Sequence, residues 1–85
     1  MRELIRTGQY IATTHALDEM EADSLIIFDV EHCILAGRIR VRQKDRVTAE
    51  WKYVVEGPAL DRKLIHVVAK IGPTGKLVII TAYRL

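Results

Sequence analysis

Only one cysteine, Cys33, occurs among the 85 residues, so no disulfide can close within the chain and a thiolate metal site is not expected. Cys33 reads as a small buried packing residue. Long apolar runs are also missing, which excludes a transmembrane helix and gives no reason to expect a membrane partner. The opening Met1-Arg2-Glu3-Leu4-Ile5-Arg6 interleaves charge with apolar residues and so lacks the continuous stretch of a signal peptide. A cytoplasmic location is the expectation that follows. The three histidines, His15, His32 and His66, have no close ligand spacing and no carboxylate-rich loop beside them, so no metal is expected. The sequence carries no P-loop, dinucleotide fingerprint or serine elbow, and no cofactor is expected.

Basic residues are absent from one long segment, and their absence divides the chain. Residues 9 to 36 hold six acids and no Lys or Arg, whereas residues 37 to 85 hold eleven Lys or Arg against four acids. The net charge of +2 conceals this split. A basic second half suggests an anionic partner there, although attraction between the halves or simple solubility would use the same charges.

The elements follow from periodicity, and they amount to a single domain over residues 1–85. Leu4 and Ile5, stopped by Gly8, suggest a short helix or turn. Thr13 and Thr14 offer hydroxyl caps to a helix with Ala16, Leu17 and Met20 on one face. Another helix is expected to begin after Asp23 or Ser24 and to end at Gly37, taken as a left-handed position beyond the last turn. This helix is apolar over most of its circumference, with Phe28 and Leu35 off its main stripe, which implies a second buried contact and a homodimer through those two residues. From Arg38 the period changes to two. Residues 38–42, 50–55, 64–71 and 77–83 read as strands, the last two joined through Gly72-Pro73-Thr74-Gly75. The expected fold is therefore α+β, with two or three N-terminal helices packed on one face of a roughly four-stranded antiparallel sheet.

Counting outward from that hairpin pairs Ile71 with Lys76 and sets His66 opposite Thr81 and Leu64 opposite Tyr83. One face then holds Ile65, Val67, Ala69, Ile71, Val78, Ile80 and Ala82, and should pack on the helices. The other holds Leu64, His66, Val68, Lys70, Leu77, Ile79, Thr81 and Tyr83. Continuing the count places Tyr53 beside His66 and Trp51 beside Val68. With Ile39 and Val41 turned to the helices, Arg38, Arg40 and Arg42 join Trp51, Tyr53, His66 and Thr81. A one-residue slip at any hairpin would move a whole polar set to the opposite face.

Arginines with Trp and Tyr on an exposed sheet provide phosphate contacts and stacking platforms suited to RNA, with Arg38, Arg40, Arg42, Trp51 and Lys70 as the binding candidates. His66 adds a proton-exchanging group near neutral pH. These parts would suit metal-independent RNA cleavage, with His66 as base or acid, Arg40 or Arg42 stabilising the phosphorane, and Tyr53 or Tyr83 assisting. Thr81 would bond His66, and His15, near a helix N-terminus, could accept a proton or anchor the helix start. The bland readings are a histidine satisfied by Thr81 and an edge strand kept soluble by arginine. A noncatalytic RNA- or protein-binding module using the same face is the alternative function, and a scaffold acting through its apolar helix is a third.

Thr14-His15-Ala16 with Met20, Asp29-Val30 with Gly37, Tyr53-Val54-Val55-Glu56-Gly57, Ile65-His66-Val67-Val68 and Val78-Ile79-Ile80-Thr81-Ala82-Tyr83-Arg84 together resemble the bacterial family catalogued as domain of unknown function 4258. The resemblance covers roughly residues 10 to 84. That family usually has arginine before the methionine of its first helix, where Glu19 stands here. More distantly it is similar to the RelE-like and BrnT-like toxins, which lay helices on a small antiparallel sheet and cleave RNA without a metal. The resemblance implies a cognate antitoxin protein covering the basic face.

Overall fold

A computed structural model describes residues 1–85. Three helices, α1 (Arg2–Arg6), α2 (Thr14–Ala22) and α3 (Ile27–Ala36), accompany five strands: β1 (Tyr10–Ala12), β2 (Arg38–Lys44), β3 (Trp51–Pro58), β4 (Leu64–Ile71) and β5 (Leu77–Arg84). The strand order is β1-β5-β4-β3-β2. This is the expected α+β fold with one addition, because β1 runs parallel to β5 and makes the sheet mixed. Three residues are too few to show an alternating pattern, so β1 could not be read from periodicity.

Thr13 explains why α2 starts where it does and how β1 is held. Its hydroxyl accepts from the Ala16 amide at 3.0 Å and donates to the Ile80 carbonyl at 3.0 Å, while its own amide bonds the Ile79 carbonyl. One threonine thus caps the helix and ties it to β5 at a bulge. On α2, Ala16 and Met20 are buried but Leu17 is exposed. For α3 the start lies at Ile27, later than expected. Ser24 takes a positive φ of 56°, Leu25 drops into the core, and the Asp29 carboxylate accepts from the Ile26 amide at 2.9 Å to close the first turn.

Gly37 ends α3, but not in a left-handed conformation: its φ is −90°. The need for glycine comes from a close crossing. A Cβ on Gly37 would strike the Glu56 carbonyl and lie 2.5 Å from the Cys33 carbonyl, and one on Gly57 would lie 2.5 Å from that same oxygen. The two glycines let the end of α3 rest directly on β3. Cys33 lies in the contact, fully buried, with Sγ 3.8 Å from the Val55 and Ile65 carbonyls, and burial pushes its thiol up to about 12.

The core lies between the helices and one sheet face, where Val55, Ile65, Val67, Ala69, Leu77, Ile79 and Ala82 meet Ala16, Met20, Val30, Cys33 and Ile34. This corrects the expected β4–β5 register. Ile71 pairs with Leu77, so the loop has five residues, 72–76, and Leu77 and Ile79 turn inward in place of Val78 and Ile80. Ile80 is then an extra residue in the bulge, and pairing resumes with Val68 opposite Thr81 and His66 opposite Tyr83. The bulge restores the phase, which is why Ala82 faces inward as expected.

Candidate functional site

The β3–β4 connection decides what His66 meets. Pro58 remains in the strand opposite Leu64, and residues 59–63 turn with Arg62 at φ 71°. Glu56 therefore pairs with His66, while Tyr53 pairs with Ala69. Relative to the expected count this is an odd shift, so Tyr53 and Trp51 lie on the helix side of the sheet and not beside His66 and Val68. A second bulge, at Arg40, divides the arginines. Arg38 pairs with Glu56 on the open face, Arg40 reaches Glu56 at 3.9 Å, and Arg42 pairs with Tyr53 on the opposite face.

The open face consequently carries one connected polar line. His66 Nε2 lies 3.0 Å from Glu56 Oε1, and its Nδ1 lies 3.3 Å from the Tyr83 hydroxyl, whose ring meets the imidazole edge-on at 5.6 Å. The hydrogen bond with His66 holds the Glu56 carboxyl below the usual carboxylate range, and the charges of Arg40 and Arg38 push the same way against partial burial. An ionised Glu56 accepts from Nε2–H, which leaves Nδ1 with a lone pair toward Tyr83. That sequence, carboxylate to imidazole to hydroxyl, can orient a base and move a proton to or from an outer group. Lys70 shares this face and pairs with Glu50 at 3.1 Å.

The remaining sequence candidates are placed elsewhere. Thr81 is opposite Val68 and is not the partner of His66; Tyr83 is. His15, on α2 in the helix layer, lies exposed with Nε2 3.8 Å from Glu19. Phe28 is 60% exposed, whereas Leu35 packs partly against the core. Sequence reasoning missed Glu56 as a site residue. Its signal was a lone acid in a strand of Val and Tyr, one residue before the glycine that the fold requires.

Other polar groups of the fold have structural partners. Asp29 is buried and bonds the Ile26 and Leu60 amides at 2.9 Å each, joining α3 to the β3–β4 loop. His32 Nδ1 lies 2.8 Å from the Pro58 carbonyl. Tyr10 donates to Glu31, and this bond, with burial and the carboxylate charge, raises its hydroxyl to about 12. No group of three or more His, Cys, Asp or Glu side chains forms a metal-binding set. No helix is long and apolar enough to cross a membrane.

A family model described as a domain of unknown function, DUF4258, matches residues 12–84. The chain belongs to that family. The matched segment contains α2, α3, the four long strands and the whole Arg40–Glu56–His66–Tyr83 line, so the family's domain includes every part of this site. No curated protein and no solved structure matches the chain.

Proposed function

We propose that the chain is a metal-independent ribonuclease whose chemistry takes place on the open sheet face. The observation that carries the reading is His66 held at both ring nitrogens, by Glu56 and Tyr83, with Arg40 beside the carboxylate. At 3.3 Å the Tyr83 contact is at the long end of hydrogen bonding, so a substrate hydroxyl can replace it on Nδ1. His66 then accepts the 2′-hydroxyl proton as that oxygen attacks the adjacent phosphorus. Arg40, with Arg38, balances the charge of the phosphorane. The bond to the 5′-oxygen breaks, Tyr83 gives that oxygen its proton, and His66 returns a proton to the tyrosine. The products are a 2′,3′-cyclic phosphate and a free 5′-hydroxyl, and the enzyme regains its starting protonation. Glu56 keeps the imidazole oriented through its Nε2 contact. The resemblance to RelE-like and BrnT-like toxins supports the same reading by analogy of fold, and a small antitoxin protein over the basic face is the partner it brings.

The test is incubation of mixed-sequence RNA in EDTA with the wild type and with His66→Ala, Arg40→Ala and Tyr83→Phe proteins of equal thermal stability. The wild type is expected to leave cyclic phosphate ends, and loss of His66 to slow cleavage by about 10²- to 10⁴-fold. Intact RNA, or equal cleavage by all four proteins, would overturn the assignment. Bound but uncut RNA would leave the noncatalytic binding module as the function. Growth arrest on expression, relieved by the product of an adjacent gene, would support the toxin reading.

A further inference from the structure

The opposite side of the same sheet carries a group of residues that this chemistry does not use. At the far end of the β2–β3 hairpin Trp51 is 39% exposed, and the Arg42 guanidinium lies over its ring at 4.9 Å with the Lys44 ammonium at 5.9 Å. All of β2 is exposed, so no helix covers this arm. The local acids are already engaged. Asp45 accepts from the Val47 and Thr48 amides in the hairpin turn, and Glu50 pairs with Lys70. Arg42, Lys44 and Arg46 form no salt bridge, whereas Lys52 points to the open face opposite Lys70 and its charge acts on Asp45. Edge strands use charge to resist pairing with other chains, but that purpose does not require an indole set among the cations.

We infer that this arm, Arg42 and Lys44 around Trp51 with Arg46 nearby, is a binding site for single-stranded RNA. An unpaired base stacks on the Trp51–Arg42 layer, and the unpaired cations take the flanking phosphates. A duplex hides its base faces and would use only the cations. Trp51 and Glu56 are five residues apart along β3, about 17 Å of strand, so a strand crossing the β2 edge can touch both faces. The inference shares its ligand with the proposed cleavage but rests on different residues on the other face.

Trp51 is the sole tryptophan, so its fluorescence reports binding at the arm directly. The probe is a labelled 2′-O-methyl oligouridylate of about 12 nucleotides, which binds as RNA does but cannot be cleaved. Addition of the probe is expected to quench Trp51 in the wild type and equally in His66→Ala, which isolates this site from the catalytic reading. By probe anisotropy, Trp51→Ala should weaken binding about 5- to 150-fold, with Trp51→Phe recovering most of it. An Arg42→Ala and Lys44→Ala double variant should lower the salt slope of binding by about 1.4, near 0.7 for each phosphate that is no longer neutralised. Absence of binding, unchanged fluorescence while the probe binds, or unaltered affinity in Trp51→Ala would each overturn the site. Equal competition by polyglutamate would assign the arm to an acidic protein instead.

Discussion

The two ends of β3 belong to one strand in one sheet, yet they are built on opposite principles. At the Val55–Pro58 end, α3 rests on the backbone, Val55 is 2% exposed, and Gly57 faces Gly37 with no room for a side chain. At the Trp51–Tyr53 end Trp51 and Lys52 are exposed, and Arg42 and Lys44 stand over the ring without salt-bridge partners. The packed end supplies the cohesion that lets the open end keep its unpaired charge, since a small domain has few places to offset such repulsion. Glu56 and His66 lie just at the packed end, where rigid neighbours hold them. The comparison predicts that substitutions near Gly57 act on stability and those near Trp51 on binding.

The largest effect is expected at the glycine crossing. Gly57→Ala puts a methyl group 2.5 Å from the Cys33 carbonyl, where both neighbours are backbone and neither can yield without moving α3. A loss of about 3 kcal/mol, or roughly 12 to 24 °C in Tm, should appear in thermal melts. A protein melting within a few degrees of wild type would show that α3 can lift from the sheet, and the contrast between the ends would weaken.

Asp29→Ala comes next. It leaves the Ile26 and Leu60 amides without their acceptor, and about 2 kcal/mol should be lost in urea unfolding. If Asp29→Ala unfolded at the wild-type urea concentration, water would be replacing both bonds and the β3–β4 loop would not depend on α3.

Much of this architecture was legible in the sequence because the long elements carry clear periods. The α+β class, the Thr13 cap, buried Cys33 and the inward set Ile65, Val67 and Ala69 all follow from patterns that burial imposes. Faces across strands were much less legible, and the reason is local. Parity depends on each connection, and here Pro58 stayed in its strand, Arg62 turned at positive φ without glycine, and Ile80 and Arg40 each inserted a residue. An alternating Arg38-Ile39-Arg40-Val41-Arg42 gives no sign of a bulge. One basic, aromatic face in the sequence became two separate faces in the fold, and Glu56 entered the site only once the register was known.

A smaller, pH-dependent effect should mark Glu56, where the two ends meet. Its carboxyl is held below the usual range in the folded state, so it contributes stability above the ordinary glutamate pKa of about 4.3 and loses it as pH falls through the folded value. Glu56→Gln should accordingly be less stable than wild type at neutral pH, with the gap in urea midpoints closing in acid. A gap that stayed constant from neutral pH to the acid limit would mean that the His66 and Arg40 contacts do not act through charge.

The smallest change in stability is expected at the open end. Trp51 and Arg42 lie outside the buried core, so the urea midpoints of Trp51→Ala and Arg42→Ala should shift by no more than about 0.5 kcal/mol equivalent. The Trp51–Arg42 stack itself is worth about that much at an exposed site, so the double variant should lose little more than either single one. Paired with the binding measurement, this result separates the two roles of the sheet. A surface kept only for solubility can lose its indole with no change in RNA affinity, whereas a binding arm loses affinity while the fold is unmoved. A large stability loss at Trp51 would place the ring in the packing of the hairpin and remove the distinction between the two ends of β3.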